Sequence, residues 1–245
     1  MIKEFQELAL DILFPKLCIK CSKEGSYICS NCELFMSENA LICPVCGHSS
    51  FSGETHFNCF RGYQLNGLIS VWDYDGIVEQ MIKYIKYAGK FDLTGELLDN
   101  FLEILKYDNL KRFSSFLSFL ADDKTYITYV PMYKSKEKRR GFNQAKIIAN
   151  ELGKRFNKPV ISLLDKTGDT KEQAKLNKEE RLKNVKDTFD VRNSVTNIKD
   201  VRHRVTNILL VDDVFTTGAT MRECTRVLKR SGIQKVWGFT LARTI

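Results

Sequence analysis

One stretch of the chain decides its fold: Ile208-Leu209-Leu210-Val211-Asp212-Asp213-Val214-Phe215-Thr216-Thr217-Gly218-Ala219-Thr220. Its four leading aliphatic residues are typical of a strand that is buried on both faces of a parallel sheet. Two carboxylates follow at the end of that strand. Small hydroxyl and glycine residues come next, and a helical pattern begins near Thr220. This order predicts the edge of an α/β sheet at which ligands bind.

The residue types in this stretch suit a phosphorylated sugar. Small side chains at 216–220 let backbone N–H groups approach an anion, and the following helix adds the positive end of its dipole. Asp212 and Asp213 accept hydrogen bonds, which suits hydroxyl groups or a magnesium ion. Both acids are expected to face solvent, so replacing them should leave the fold intact. The alternative is an ordinary strand-to-helix turn with an Asp pair, as in receiver domains, which the Thr-rich loop disfavours.

The stretch resembles the 5-phosphoribosyl-1-pyrophosphate (PRPP) motif of the type I phosphoribosyltransferases. In that family the two acids contact the ribose 2′- and 3′-hydroxyls, and the loop grips the 5′-phosphate. The resemblance implies an α/β fold with a type I phosphoribosyltransferase-like parallel sheet flanked by helices, and PRPP with its magnesium ion as ligands. The residues expected to bind PRPP are Asp212, Asp213, Val214, Phe215, Thr216, Thr217, Gly218, Ala219 and Thr220.

Four pairs of potential metal ligands lie near the N-terminus, each with two ligands three positions apart. Two pairs supply the tetrahedral shell that zinc requires, and full Cys-rich shells indicate a structural ion. Sequential pairing gives one site from Cys18, Cys21, Cys29 and Cys32, and another from Cys43, Cys46, His56 and Cys59. Interleaved pairing stays open, as do His48 in place of His56 and the choice between one and two ions. Cys224, the eighth cysteine, is expected in the core.

Charge is distributed unevenly along the 245 residues, whose net charge is +8. Residues 131–245 contain 26 of the 38 Lys and Arg residues but only 13 of the 30 Asp and Glu residues. A local surplus of this kind predicts a polyanion-binding surface, with a solvated basic surface as the alternative. No stretch approaches the ~20 apolar residues that a membrane span needs.

A basic run in this half precedes a helical pattern that begins at Ala145. We expect the run, residues 134–140, to form a loop that leads into the helix N-terminus, where pyrophosphate or nucleic-acid phosphates bind well. Phe142 offers a stacking surface. A solvated Lys/Arg loop is the alternative. The residues expected to bind DNA or pyrophosphate are Lys138, Arg139, Arg140 and Asn143.

The chain divides into three parts: an amphipathic helix (1–16), a zinc module (17–66) and a phosphoribosyltransferase-like domain (67–245). The apolar face of the first helix predicts docking on the next module, with peripheral membrane contact as the alternative. Residues 173–184 predict a polar loop, and the resemblance to the phosphoribosyltransferases implies that this loop closes over PRPP. A ten-residue repeat within 190–208 is a local duplication with no assigned function.

In this order, the zinc pairs, the segment Arg140–Gln144, the polar loop and the PRPP motif resemble the ComF family of competence proteins. His56 departs from the family pattern, which has cysteine there. The resemblance implies a cytoplasmic PRPP-binding protein that handles single-stranded DNA in natural transformation, near the inner membrane. Its implied partners are a DNA-uptake helicase or other competence proteins. The alternatives are an active phosphoribosyltransferase with an unknown acceptor and a transcription regulator with PRPP as effector.

Overall fold

A computed structural model of the chain describes residues 15–168, 187–192 and 205–244. The helices are α1 (Ser30–Glu33), α2 (Gly76–Ala88), α3 (Asp92–Lys106), α4 (Ser114–Ala121), α5 (Lys134–Arg140), α6 (Gln144–Phe156) and α7 (Ala219–Arg230). The strands are β1 (Gly67–Asp73), β2 (Thr125–Tyr129), β3 (Leu164–Lys166), β4 (Phe189–Val191), β5 (Asn207–Phe215) and β6 (Lys235–Arg243). Within these ranges, no helix is long and apolar enough to cross a membrane.

Four parallel strands form the main sheet, in the order β1-β6-β5-β2. β5 is a central strand, and Leu209 pairs with Ile127 on one side and Trp237 on the other. Residues 208–211 are fully buried, as their unbroken aliphatic pattern predicts. Helices lie on both faces of the sheet, so the predicted α/β fold is confirmed. β3 and β4 form a separate antiparallel pair.

The two faces of the sheet contribute to two hydrophobic clusters, because side chains alternate along a strand. Leu209 and Val211 pack with α2, α3, α4 and α6 on one face. Ile208 and Leu210 pack against α7 on the other, where Cys224 is completely buried, as expected. The alternation continues into the acid pair, which therefore contributes one carboxylate to each face.

The cysteine-rich segment packs directly against the sheet. Cys18, Cys29 and Cys32 belong to the same hydrophobic cluster as Leu209. The Glu96 carboxylate on α3 accepts hydrogen bonds from the backbone N–H groups of Tyr27 and Ile28, both at 3.0 Å. These contacts join the first cysteine cluster to α3 and the core.

Two sequence predictions in the described region are wrong in detail. The basic run at 134–140 is the helix α5 rather than a loop, because Lys, Glu and Arg favour helix and Gly141 ends it in a left-handed conformation with φ of 83°. The apolar run at 160–164 predicts a strand, but the structure has only a bridge between Val160 and Ile127 there, and β3 begins at Leu164. Most of the predicted N-terminal helix, the polar loop at 173–184 and most of the repeat lie outside the described residues.

Candidate functional site

The acid pair lies within β5 rather than after it. β5 continues to Phe215 because it stays paired with β6, whereas its pairing with β2 ends at Val211. Residues after Val211 therefore pass the carboxyl end of β2, where the sheet opens towards α5 and α6. Asp213 is only 7% exposed, so the expectation that both acids face solvent is wrong for this residue.

Asp213 is held by two side chains from the surrounding helices. Its Oδ2 atom lies 3.0 Å from Nζ of Lys86 on α2, and it accepts a hydrogen bond of 2.8 Å from Nε2 of Gln144 on α6. Burial alone would lower the pKa of Lys86, but the charge and hydrogen bond of Asp213 raise it above its usual value. Lys86 is therefore a buried cation that depends on Asp213 for its counter-charge.

Asp212 lies on the other face and is half-buried. Its Oδ1 atom accepts from the backbone N–H of Asp213 at 2.9 Å. Burial, reinforced by the negative charge of Asp213, raises the pKa of Asp212 from 3.8 to about 7. Within the described ranges, Oδ2 of Asp212 and Oδ1 of Asp213 have no hydrogen-bond or ion-pair partner. Each acid therefore keeps one oxygen for a ligand.

The loop after β5 brings backbone donors beside these oxygens. Gly218 has φ of 70°, and a Cβ atom there would collide with the ring of Phe215. No acceptor among the described residues takes a hydrogen bond from the N–H groups of Thr216, Thr217 or Gly218. Since α7 begins at Ala219, these donors precede the positive end of a 12-residue helix. The arrangement fits an anionic group.

Arg222 supports the loop from α7. Its Nη2 atom donates to the carbonyl oxygen of Thr217 at 2.7 Å, and burial lowers the pKa of the guanidinium. Among the described residues, no carboxylate pairs with it. The half-buried guanidinium therefore adds uncompensated positive charge beside the loop, which further favours an anion.

The predicted DNA- or pyrophosphate-binding residues separate into exposed and internal groups. Lys138 and Arg139 are exposed on α5. Arg140 is half-buried, donates to Oε1 of Gln144 at 2.9 Å and lies 5.4 Å from the ring centroid of Tyr87. Asn143 is 4% exposed, and its side chain caps α6 at the N–H of Ala145 and donates to a backbone carbonyl. Asn143 thus uses both side-chain polar atoms inside the protein.

The eight predicted metal ligands form two clusters, and the pairing is sequential: Cys18, Cys21, Cys29 and Cys32 in one, and Cys43, Cys46, His56 and Cys59 in the other. Within each cluster all ligand atoms lie within 4.8 Å of one another. A tetrahedral zinc ion with Zn–S bonds of about 2.3 Å separates its sulfurs by about 3.8 Å. Both clusters could therefore hold structural zinc.

His56 is oriented as a ligand through Nδ1. This atom lies 3.5 Å from Sγ of Cys46, while Nε2 lies 3.1 Å from the carbonyl oxygen of Ser49. A proton on Nε2 satisfies that carbonyl and leaves the Nδ1 lone pair for a metal. His48 is exposed and belongs to neither cluster. The geometry therefore selects His56, which sequence spacing alone left open.

The cysteine environments also fit a bound cation. Burial would raise the pKa of Cys18, but backbone N–H donors lower it to about 6. In the same cluster, burial and neighbouring thiols raise the pKa of Cys32 to about 12. Cys43 and Cys59 show the same contrast, with pKa values of about 7 and about 11. Thiolates that lie close together repel one another, which contributes to this contrast. A divalent ion offsets this repulsion because it binds all the thiolates at once.

The chain is similar to curated proteins along most of its length. Competence protein ComFC of Bacillus subtilis is 29% identical over 232 residues, covering 91% of this chain and 86% of that protein. The DNA utilization protein YhgH of Escherichia coli K12 is 28% identical over 223 residues, covering 89% and 91%. Competence protein F of Haemophilus influenzae is 30% identical over 115 residues, covering 46% and 48%. No family model matches the chain.

Together these relatives support a place for this chain in the ComF family. The family predicted from the order of the motifs is therefore confirmed. The cysteine pairs and the PRPP-like stretch lie at opposite ends of the sequence, so they are two independent signals of the family. In this ComF-family chain the structure places them on one body, with the first cysteine cluster packed on α3 and the acid pair at the edge of the same sheet.

Three residues around the acid pair of this ComF-family chain were not identified from the sequence as site residues. The helical spacing of Ile77, Ile82 and Ile85 predicts that Lys86 points outward, but it reaches Asp213. Gln144 and Arg222 have no pattern of their own, because a single polar residue in the first turn of a helix has many uses. The signal available for Lys86 was its position one residue after inward-facing Ile85, at the C-terminal end of α2.

Proposed function

We propose that this ComF-family chain binds PRPP with magnesium at the carboxyl end of β5. The observation that carries the proposal is one oxygen on each of Asp212 and Asp213, beside three N–H groups at residues 216–218, for which the described part of the chain supplies no partner. The oxygens accept ribose hydroxyls, and the N–H groups bind the 5′-phosphate. Magnesium would accompany the pyrophosphate group, since Mg²⁺ prefers substrate phosphates and carboxylates.

The same chain is proposed to act in competence and DNA uptake, and to handle single-stranded DNA. Its relatives are named as competence proteins and as a DNA utilization protein. Exposed Lys138 and Arg139 on α5 lie near the acid pair, joined to it through Arg140 and Gln144. Strong positive charge near a ligand site supports binding of a phosphate backbone. The cysteine clusters serve this protein as structural zinc centres.

Calorimetry with PRPP and magnesium tests the ligand. The variant to compare is Asp212→Asn, because it keeps the side-chain shape and leaves the Lys86–Asp213 ion pair intact. At pH 8, above the pKa of about 7 for Asp212, we expect an affinity loss of at least about tenfold, because a charged acceptor of ribose hydroxyls is replaced by a neutral amide. Asp123→Asn, an exposed acid in the turn before β2, should bind as wild type. Equal affinity in wild type and Asp212→Asn would overturn the PRPP site.

Titration of labelled DNA tests the second part. Single-stranded DNA should bind more tightly than duplex of the same length, and affinity should fall steeply with salt. Lys138→Glu with Arg139→Glu should weaken binding of all sequences alike. Stronger binding to duplex would favour a transcription regulator instead, and consumption of PRPP with a supplied acceptor would favour a phosphoribosyltransferase.

A further inference from the structure

Two tyrosines of α2 are exposed beside the basic helix. Tyr84 and Tyr87 lie three positions apart, so they occupy the same face of the helix. They are 43% and 76% exposed, whereas the opposite face of α2 is completely buried. Large aromatic rings at solvent positions contribute little to folding. Together they present two flat ring surfaces on one side of the helix.

Cations lie over both rings and connect them to neighbouring elements. Nζ of Lys90 is 5.4 Å from the ring centroid of Tyr84 and 5.7 Å from that of Tyr27, which is in the cysteine-rich segment. The Arg140 guanidinium is 5.4 Å from the centroid of Tyr87. We call the set Tyr27, Tyr84, Tyr87, Lys90 and Arg140 the aromatic strip. It runs from the cysteine-rich segment, across the end of α2, to α5.

Phe142 has a different role from the one its sequence position predicts. Its ring is half-buried and meets Phe91 edge-on, with centroids 4.7 Å apart. The ring is therefore fixed by packing at the base of α6. Phe91 keeps 39% of its surface exposed, less than Tyr84 and Tyr87 on α2.

We propose that the aromatic strip is the base-stacking platform for single-stranded DNA. Proteins that bind single strands without sequence preference combine cations that follow the phosphates with aromatic faces that stack the bases. The strip supplies both components, in the order ring, lysine, ring, ring, arginine. The inference rests on the proposed DNA-handling function and specifies where the strand lies. The strand continues from Arg140 onto Lys138 and Arg139, which are exposed on the same helix.

Charge and composition support a nucleic acid over a protein partner. The strip carries two cations, one of them a lysine, and no aliphatic side chain, whereas the core of a protein interface is depleted of charged residues and of lysine in particular. A site that bound anions through charge alone would need only Lys90 and Arg140, and the tyrosines would have no part in it. Tyrosine at three positions adds flat surfaces that suit nucleobases, and each base has a π-face to stack.

Fluorescence anisotropy with a labelled oligothymidylate of about 15 nucleotides tests the platform. Tyr84→Ala with Tyr87→Ala should weaken binding at least about tenfold with little change in the salt dependence, because stacking releases no counterions. Lys90→Ala should instead reduce the slope of the salt dependence by about one. Tyr84→Phe with Tyr87→Phe should bind as wild type, since the ring face is kept.

Tyr107→Ala is the matched control. Tyr107 is 67% exposed and has Lys106 at 5.0 Å from its ring centroid, so it repeats the same local pair at the far end of α3, about 22 Å from the strip by helix length. This variant should bind as wild type. If the α2 double variant binds as wild type while Lys138→Glu with Arg139→Glu fails to bind, the platform is overturned and the DNA function stands. If wild type binds no single-stranded DNA, both fall.

Discussion

The side-chain amide of Gln144 donates a hydrogen bond of 2.8 Å to Asp213 in β5. Its carbonyl oxygen accepts from Arg140 at 2.9 Å. One side chain at the start of α6 therefore joins the basic helix α5 to the acid pair. We therefore expect a ligand that changes the position of Asp213 to affect Arg140 through this amide, and a ligand on Arg140 to affect Asp213.

The first prediction is that PRPP and single-stranded DNA are coupled through Gln144. PRPP at the acid pair should disturb the hydrogen bond between Gln144 and Asp213 and so move Arg140, which Gln144 positions, away from its place on the oligonucleotide. PRPP should therefore weaken oligonucleotide binding several-fold in wild type. DNA should weaken PRPP binding by the same factor, because coupling is reciprocal. Gln144→Ala should reduce this coupling to near zero, as measured by oligonucleotide affinity with and without saturating PRPP and magnesium.

Asn150→Ala is the control for this prediction, since Asn150 is an exposed amide on the same helix. It should keep the wild-type coupling. Undiminished coupling in Gln144→Ala would show that the two ligands communicate by direct charge repulsion alone.

The sheet was predictable because its central strand carries its own signal. Buried aliphatic residues at 208–211 allow few other structures, and the acid pair and glycine that follow limit the connection to a helix. The extension of β5 to Phe215 was not predictable, because it depends on pairing with β6, which is distant in sequence. Helix α5 was missed because a run of charged residues resembles a loop, although Lys, Glu and Arg are good helix formers.

The candidate site was predictable only where one segment supplies it. Asp212, Asp213 and the loop are consecutive, so their proximity follows from the chain itself. Lys86 approaches Asp213 from a helix more than a hundred residues away, and no local pattern encodes that contact. The choice of His56 over His48 likewise follows from how the second cysteine cluster folds, since both histidines lie at plausible spacing.

The second prediction concerns zinc. Freshly purified protein should contain two zinc ions per chain, and His56→Ala should contain about one, because three thiolates leave an open position that binds zinc more weakly. His48→Ala is the matched control and should retain two. Elemental analysis of the three proteins measures this. Loss of zinc from His48→Ala, or well under one ion in wild type, would contradict the assignment.

The third prediction follows from the pKa of Asp212, about 7 in the native state against an ordinary value of 3.8. A raised pKa means that the native state holds the proton more tightly than the unfolded state. This contribution to stability is complete below about pH 4 and is lost as the pH rises towards 7. In urea unfolding at constant zinc, the free energy of unfolding should therefore fall more steeply between pH 5 and pH 7 in wild type than in Asp212→Asn. Identical slopes would show that Asp212 ionises normally.

The last prediction concerns the ion pair between Lys86 and Asp213, whose side chains are 19% and 10% exposed. Removing one partner of a buried pair leaves the other charge uncompensated, which costs about 3–5 kcal/mol. We therefore expect Asp213→Asn to lower the free energy of unfolding by about 3 kcal/mol, and Lys86→Met to lower it by a similar or smaller amount because Gln144 still donates to Asp213.

Lys86→Met combined with Asp213→Asn should be more stable than the sum of the single costs predicts, by about 0.5–3 kcal/mol. Urea unfolding of the four proteins in this cycle provides the measurement, and strictly additive costs would mean that the pair contributes nothing.

The result decides how the contribution of the Asp213 carboxylate to PRPP binding can be measured. Asp213→Asn alone would lose PRPP binding through partial unfolding as well as through its carboxylate, whereas the double variant keeps the interior neutral. Comparing PRPP affinity between Lys86→Met and the double variant therefore measures the carboxylate itself.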